Sequence, residues 1–358
     1  MVRFGLYGSG WRSAFFLRVA AALPQMFQVA GLVTRDAEKA TEMTQQFGVT
    51  CYPTVEALLQ AQTMDFMVVS LNASVSVDAS LALLRRDMPV LLETPVAPDM
   101  NSLYRFYEAL PVGAKLQVAE QYPLQPMHQA RLSIIKQGKL GAIGFVQMSN
   151  THAFHAVALI RSYLGVGLDE TAEITATSFP VAGVEGFMRH GVSPLEKVNQ
   201  STQQIAVLKF SSGKVGLLNH ETGQHRSYVR SSIVQVKGER GEILNDQLKY
   251  LLTHETPITS HFDYKILGRE DNFEGVGFKG IFVDNQWVYH NPYLNHRLSD
   301  DEIAVAQCLN NMAKYVLHNG PSQYGFAQAA QDTYLAHMVE QAIAQQAPLM
   351  TILQPWHE

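Results

Sequence analysis

The chain has 358 residues, 47% of them hydrophobic and 16% charged, and a net charge of −5. That is globular composition with ample material for a core, at a length that suits two domains of roughly 150 residues rather than one. The negative balance argues against nucleic acid or an anionic membrane as partner, and no run approaches the ~20 apolar residues of a membrane helix.

Only two cysteines occur, Cys51 and Cys308, so no disulfide framework is implied and a reducing compartment fits. No signal peptide is expected, because glycine interrupts the apolar start after Tyr7. A soluble, cytoplasmic protein follows as the expectation.

Val2–Tyr7 reads as a strand that runs into Gly8-Ser9-Gly10-Trp11-Arg12-Ser13, and 14–23 as a helix stopped by Pro24. Strand, Gly-x-Gly-x-x-small and helix in this order form the dinucleotide fingerprint. Gly8 permits the tight turn, and Gly10 lets backbone N–H groups approach a pyrophosphate. Ser13, where a third glycine usually sits, is small enough for helix–strand packing. The positive end of the helix dipole then faces the phosphates. Gly8, Ser9, Gly10, Trp11 and Arg12 are therefore candidate cofactor-binding residues.

Residues 28–33 predict a second strand, and Asp36 a cap for a helix over 37–47 that ends at Gly48. Cys51-Tyr52 and a short helix at 55–59 lead to Phe66–Leu71, an apolar run suited to a strand buried on both faces of a parallel sheet. A helix at 75–86, a strand at 90–92, a helix capped by Asp99 and a strand at 116–119 continue the alternation. Repeated βαβ units of this kind make an open parallel sheet with helices on both faces.

The character changes after Tyr122-Pro123. A helix over 127–137 ends at Gly138, a strand covers 143–148, and a helix runs from about His155 to Leu164. Strands at 174–178, 205–210, 215–219 and 233–236 show β-branched enrichment, with Ser211-Ser212-Gly213 as a tight hairpin turn and Asp284-Asn285 as another. Two helices, about 300–318 and 325–346, end the chain. The fold class is α/β: an N-terminal Rossmann domain over 1–120, then an α+β domain over 121–358 with an open, largely antiparallel sheet. A ligand cleft is expected between them.

The end of the second strand selects the cofactor. An acidic side chain there holds the ribose hydroxyls of NAD, whereas arginine accommodates a 2′-phosphate. Thr34-Arg35-Asp36 puts a hydroxyl at the acid's place and a guanidinium next to it, which favours NADP over NAD.

With these residues in place the chain resembles the glucose–fructose oxidoreductase / myo-inositol dehydrogenase (Gfo/Idh/MocA) family. The resemblance rests on the glycine turn, Ser70-Leu71-Asn72, the segment Val90–Ala97 with Glu93-Thr94-Pro95, Gly138-Lys139-Leu140-Gly141, and His155 through Arg161. It covers essentially the whole chain. It implies a nicotinamide cofactor, with Leu71, Asn72, Glu93 and Gln121 joining Thr34 and Arg35 around it. It also implies hydride transfer at a secondary alcohol of a sugar, sugar acid or cyclitol, and pairing of subunits into a homodimer or homotetramer.

Two departures from the family pattern bear on the chemistry. The usual Glu-Lys-Pro is Glu93-Thr94-Pro95, and the usual Asp-x-x-x-His is Thr151 through His155. Alcohol oxidation needs a base for the hydroxyl proton as hydride leaves. Threonine relays a proton but does not hold one near neutral pH. Of the three usual positions only His155 serves. His152, Tyr122 and the Thr94 hydroxyl are supporting candidates, with His225, Arg226, His290 and Arg297 further ones. His152, His155, His220 and His225 match no zinc-ligand spacing, so no metal is expected. Two alternatives stay open. One is a lyase or glycosidase that uses transient oxidation by tightly bound cofactor. The other is a non-catalytic dinucleotide- or sugar-binding protein.

Overall fold

The computed structural model describes residues 1–184, 186–188, 191–192, 196–268 and 277–357. The chain forms two compact units, one of residues 1–126, 266–279 and 291–330, the other of 127–265, 280–290 and 331–358.

The first unit is built on six parallel strands: Val2–Tyr7 (β1), Phe27–Val33 (β2), Cys51–Tyr52 (β3), Phe66–Val69 (β4), Val90–Leu92 (β5) and Leu116–Val118 (β6). Their order is β3-β2-β1-β4-β5-β6, with the strand sequence reversing between β1 and β4, the point where doubly wound sheets bind ligands. All four residues of β4 are fully buried, and Phe66 stacks on Phe4 of β1 with ring centroids 5.9 Å apart. The intervening helices are Ser13–Ala22 (α1), Ala37–Phe47 (α2), Val55–Ala61 (α3), Ala73–Leu84 (α4) and Met100–Ala109 (α5). Asp36 accepts from the backbone N–H groups of Glu38 and Lys39, Gly48 closes α2 in the left-handed conformation, and Asp99 caps α5 through Ser102 N–H. Each is where the local sequence chemistry puts it.

The second unit opens with Pro126–Lys136 (α6), Ile143–Met148 (β7) and Ala153–Leu164 (α7), then Ala172–Val184 (β8) and the two short strands Phe187–Met188 (β9) and Gly191–Val192 (β10). Val198–Phe210 (β11), Val215–Glu221 (β12), Val234–Gly238 (β13), Gly241–Leu244 (β14), Gln247–Leu251 (β15) and Pro257–His261 (β16) follow. The chain continues through Asp263–Leu267 (β17), Gly277–Val283 (β18), Gln286–His290 (β19), Asp300–Leu317 (α8), Phe326–Gln345 (α9) and Leu349–Met350 (β20). The main sheet has nine strands in the order β16-β15-β14-β13-β7-β12-β11-β8-β20. Its pairings are antiparallel except β12 with β7. Helix α7 lies on this sheet, and Gly216 permits its close approach: a Cβ there would sit 2.5 Å from Ile160 Cγ2. The buried ion pair of Arg161 with Asp332, 2.6 Å long, ties α7 to α9.

Both predicted turns form: Gly213 N–H bonds Phe210 O between β11 and β12, and Asp284 and Asn285 take positive φ between β18 and β19. Three features differ from the sequence reading. Strand β8 is 13 residues long and passes through Pro180. Past Ile174 it has β11 as a partner but no longer β20, and an edge strand tolerates proline. Strands β14 to β16 are only four or five residues long, with Glu242 in β14 and Lys249 in β15, and give little period-two signal. A boundary at residue 120 also leaves out the return of 291–330 to the first unit. There Arg12 pairs with Asp301, Arg18 with Glu302, and Val118 N–H bonds Tyr324 O. Among the described residues no helix is long and apolar enough to cross a membrane.

Candidate functional site

The glycine turn sits at the C-terminal edge of β1 and is tied down on both sides. Gly8 N–H bonds Val33 O of β2, and Ser13 N–H bonds Gly10 O. Gly8 has φ of +120°, and a Cβ on it would lie 2.1 Å from Ser70 O, so glycine is required there by the protein itself. Gly10 differs: a Cβ would meet nothing within 4 Å. The space above Gly10 is therefore open, beside the N-terminus of α1, where a pyrophosphate would be held by backbone N–H groups and the helix dipole. The residues present fit a dinucleotide.

The ends of the neighbouring strands supply the other candidates of this unit. Ser9 and Thr34 share a hydroxyl hydrogen bond of 2.9 Å. Arg35 is exposed, and its side chain has no hydrogen-bond or ionic partner among the described residues. Asp36 caps α2 through Oδ1, which accepts from both Glu38 and Lys39 N–H. After β4, Leu71 is half-buried and Asn72 caps α4 through Ser74 N–H. After β5, Glu93 is buried: Oε1 accepts from Arg12 Nε at 2.8 Å and Oε2 from Thr94 N–H at 3.2 Å. Thr94 is half-buried and precedes a cis peptide to Pro95. After β6, Gln121 Oε1 is buried and has no hydrogen-bond partner among the described residues, and Tyr122 N–H bonds Glu120 Oε1. Trp11, 46% exposed, packs edge-on against Phe15.

The second unit brings imidazoles together. The predicted start of α7 near His155 moves back to Ala153, with His152 at the N-cap, so His155 stands in the first turn. His155 is buried, its ring 4.8 Å from that of His152, which is 6.4 Å from His220. One edge of His152 is open to solvent; its pKa is lowered by burial of the rest, then by repulsion from His155, His220 and His225. Burial also lowers the pKa of His220. Thr151 is buried, and its hydroxyl has no partner among the described residues. His225 is exposed and Arg226 half-buried on a 3-10 turn whose first residue, Gln224, is buried. His290 packs on Trp287 at the end of β19, and Arg297 is an exposed residue of the first unit. Among the described residues no three His, Cys, Asp or Glu side chains are placed to share a metal ion.

A hydrogen-bonded chain in the same unit has no counterpart in the sequence reading. Asn150 Nδ2 donates to His128 Nε2 at 3.2 Å, which leaves Nδ1–H of His128 to donate to the Tyr163 hydroxyl at 2.7 Å. No spacing signal links residues so far apart in the chain. Burial, and then the charge of Arg131, hold His128 well below the ordinary histidine value. The unfolded chain protonates this residue near pH 6.5. Its contribution to stability is thus complete above about pH 6.5 and is lost as pH falls towards the depressed folded value. Urea unfolding at about pH 7 and pH 5.5 is expected to show wild type losing more stability on acidification than His128→Gln. Equal losses would show that His128 carries no linkage.

Residues 2–120 match the family model described as "Oxidoreductase family, NAD-binding Rossmann fold". No curated protein matches the sequence. Among solved structures, levoglucosan dehydrogenase in complex with NADH and L-sorbose is 14% identical, covering 99% of each chain at a TM-score of 0.69. An oxidoreductase from Agrobacterium radiobacter, in complex with NAD+, L-tartaric acid and magnesium, is also 14% identical, covering 97% of this chain and 98% of its own at 0.67. A putative myo-inositol dehydrogenase from Sinorhizobium meliloti 1021 is 14% identical, covering 98% and 99% at 0.67. At that identity these likenesses establish the fold of both units. Residues 2–120 are therefore similar to the Gfo/Idh/MocA oxidoreductase family, whose model describes an NAD-binding Rossmann fold.

Proposed function

We propose that the protein is an NADP-preferring oxidoreductase acting on a secondary alcohol of a sugar, sugar acid or cyclitol. The observation that carries the reading is the glycine turn, with open space over Gly10 at the reversal of strand order in a domain similar to this family. The nicotinamide, when bound, accepts or supplies the hydride. The protein does the rest. Gly8, Ser9, Gly10, Trp11 and Arg12 shape the phosphate turn, Thr34 and Arg35 take the adenosine ribose, and Leu71, Asn72, Glu93 and Gln121 line the remaining strand ends. His155 takes the hydroxyl proton during oxidation and returns it during reduction. His152, held neutral by its surroundings, accepts hydrogen bonds there, and the hydroxyls of Thr94 and Tyr122 orient groups rather than store a proton.

The preference for NADP rests on Arg35, a guanidinium with no partner among the described residues, and on Thr34, a hydroxyl where NAD-binding strands carry an acid. A charge-assisted contact to a 2′-phosphate is worth ~1.5–3 kcal/mol, or roughly 10- to 150-fold in affinity. Calorimetric titration is expected to show NADPH binding that much more tightly than NADH, and Arg35→Ala removing the difference. Equal affinities in wild type would withdraw the NADP assignment and leave NAD.

A further inference from the structure

Strand β8 leaves one stretch of its outer edge unpaired. In an antiparallel ladder the N–H and C=O of one residue point to the same side, and successive residues alternate. Ala172 N–H donates to Thr351 Oγ1 at 2.7 Å, and Ala172 O accepts Thr351 N–H at 2.9 Å. The even-numbered residues of β8 therefore face away from β11. The register with β11 runs without a shift from Ala172 to Val184, which turns Ala176, Ser178 and Pro180 the same way. Strand β20 covers this edge only at Glu173 and Ile174. At the far end Ala182 O accepts Arg230 Nη2 at 3.0 Å, and Pro180 has no N–H to offer. Between these guards, the N–H and C=O groups of Ala176 and Ser178 and the C=O of Pro180 have no hydrogen-bond partner among the described residues.

A slot of about 320 Å³ runs along this stretch. Residues 175–178 form one wall, and Ile343, Gln346, Ala347 and Pro348 at the end of α9 form the other. Side chains of successive strand residues point to opposite faces, so a wall made of four in a row is the edge of the strand. The opposite wall stands off because the chain turns at Gln346, with φ of +52°, before it joins the sheet as β20. No residue from 175 to 180 is charged, although charge is a common guard on exposed edges.

The walls decide what fits. A row of alternating donors and acceptors is complemented by another extended backbone lying about 4.8 Å away. A second copy of the folded chain does not bring its own β8 edge into this slot, because its own α9 end stands in front of that edge. A single extended segment enters between the walls. Ala176 and Ala347 leave room for its side chains, and Ile343 and Pro348 make the far wall apolar. We propose that this edge takes up an extended peptide segment of a partner protein, held by backbone hydrogen bonds to Ala176 and Ser178 and by small apolar side chains against Ile343 and Pro348. It uses none of the residues assigned to cofactor or substrate.

The test uses the whole protein and an acetylated, amidated Thr-Val-Ala-Val-Thr peptide, with residue-resolved amide exchange and calorimetric titration. Ala176 and Ser178 N–H are expected to exchange fast in the free protein and to slow by at least about 10-fold with peptide bound. The same peptide methylated on its backbone nitrogens keeps its side chains and loses its donors, and should bind at least about 10-fold more weakly. Ser178→Pro removes one donor from the edge on the side away from β11, where Pro180 is already tolerated. Ala347→Trp fills the slot. Each variant should weaken binding by about 10-fold and unfold near the wild-type temperature. A wild type that does not bind the peptide, or binding that survives methylation or both substitutions, would overturn the proposal. So would Ala176 and Ser178 amides already protected in the free protein. A change of oligomeric state in either variant without peptide would seat a second copy at the edge and overturn it as well.

Discussion

A Gly10→Val variant is expected to fold like wild type and to lose dinucleotide binding. The two glycines of the turn have different tasks, and the structure separates them. Gly8 is held at positive φ with Ser70 O where a Cβ would go, so replacing it strains the backbone and confounds any binding result. Gly10 has no such constraint, and a side chain there enters empty space rather than the protein. A branched side chain would fill the volume the pyrophosphate needs and hold the phosphates off the α1 N–H groups. Affinity should fall by at least about 100-fold, close to 2.7 kcal/mol, with an unfolding temperature near that of wild type. Calorimetric titration alongside thermal unfolding decides it. A Gly10→Val protein that binds dinucleotide like wild type would place the cofactor away from this turn.

His155→Asn is expected to lower kcat by about 10²- to 10⁴-fold, the usual worth of general acid–base catalysis, with cofactor affinity unchanged. The reason is chemical subtraction. With Thr94 and Thr151 at the other two positions, neither hydroxyl stores the alcohol proton. His155 is buried in the first turn of α7 with His152 against its ring. Asparagine keeps similar size and a hydrogen-bonding edge but cannot shuttle a proton. Steady-state kinetics on a confirmed alcohol substrate measures this. Retention of most of the activity would reject the role and transfer it to His152 or Tyr122. Loss of folding along with activity would make His155 a framework residue of α7.

How much of this was legible in the sequence follows from the range of each interaction. Caps and turns are local: Asp36, Gly48, Asp99, Ser211–Gly213 and Asp284-Asn285 each carry their structural instruction within a few residues, and each forms as read. The parallel sheet is equally legible, because β4 is apolar on both faces. What the sequence hides are polar partnerships closed only by the tertiary fold. Asp301 lies in an ordinary helix-capping run, Ser299-Asp300-Asp301-Glu302, and nothing in that run says that one carboxylate reaches Arg12. His128, Tyr163 and Asn150 look like unrelated residues until α6, α7 and the end of β7 pack together. The length of β8 is hidden for another reason: Pro180 and Gly183 speak against a strand locally, and pairing with β11 overrides them.

The most direct measurement is near-ultraviolet absorbance of the nicotinamide when wild type and Gly10→Val are each given NADP+ and a panel of sugars, sugar acids and cyclitols. Wild type is expected to produce reduced nicotinamide in proportion to substrate consumed, and Gly10→Val to produce none. Substrate consumed with no net change in nicotinamide absorbance would contradict this and favour transient oxidation, and nucleotide bound with no substrate consumed would reduce the protein to a binding module.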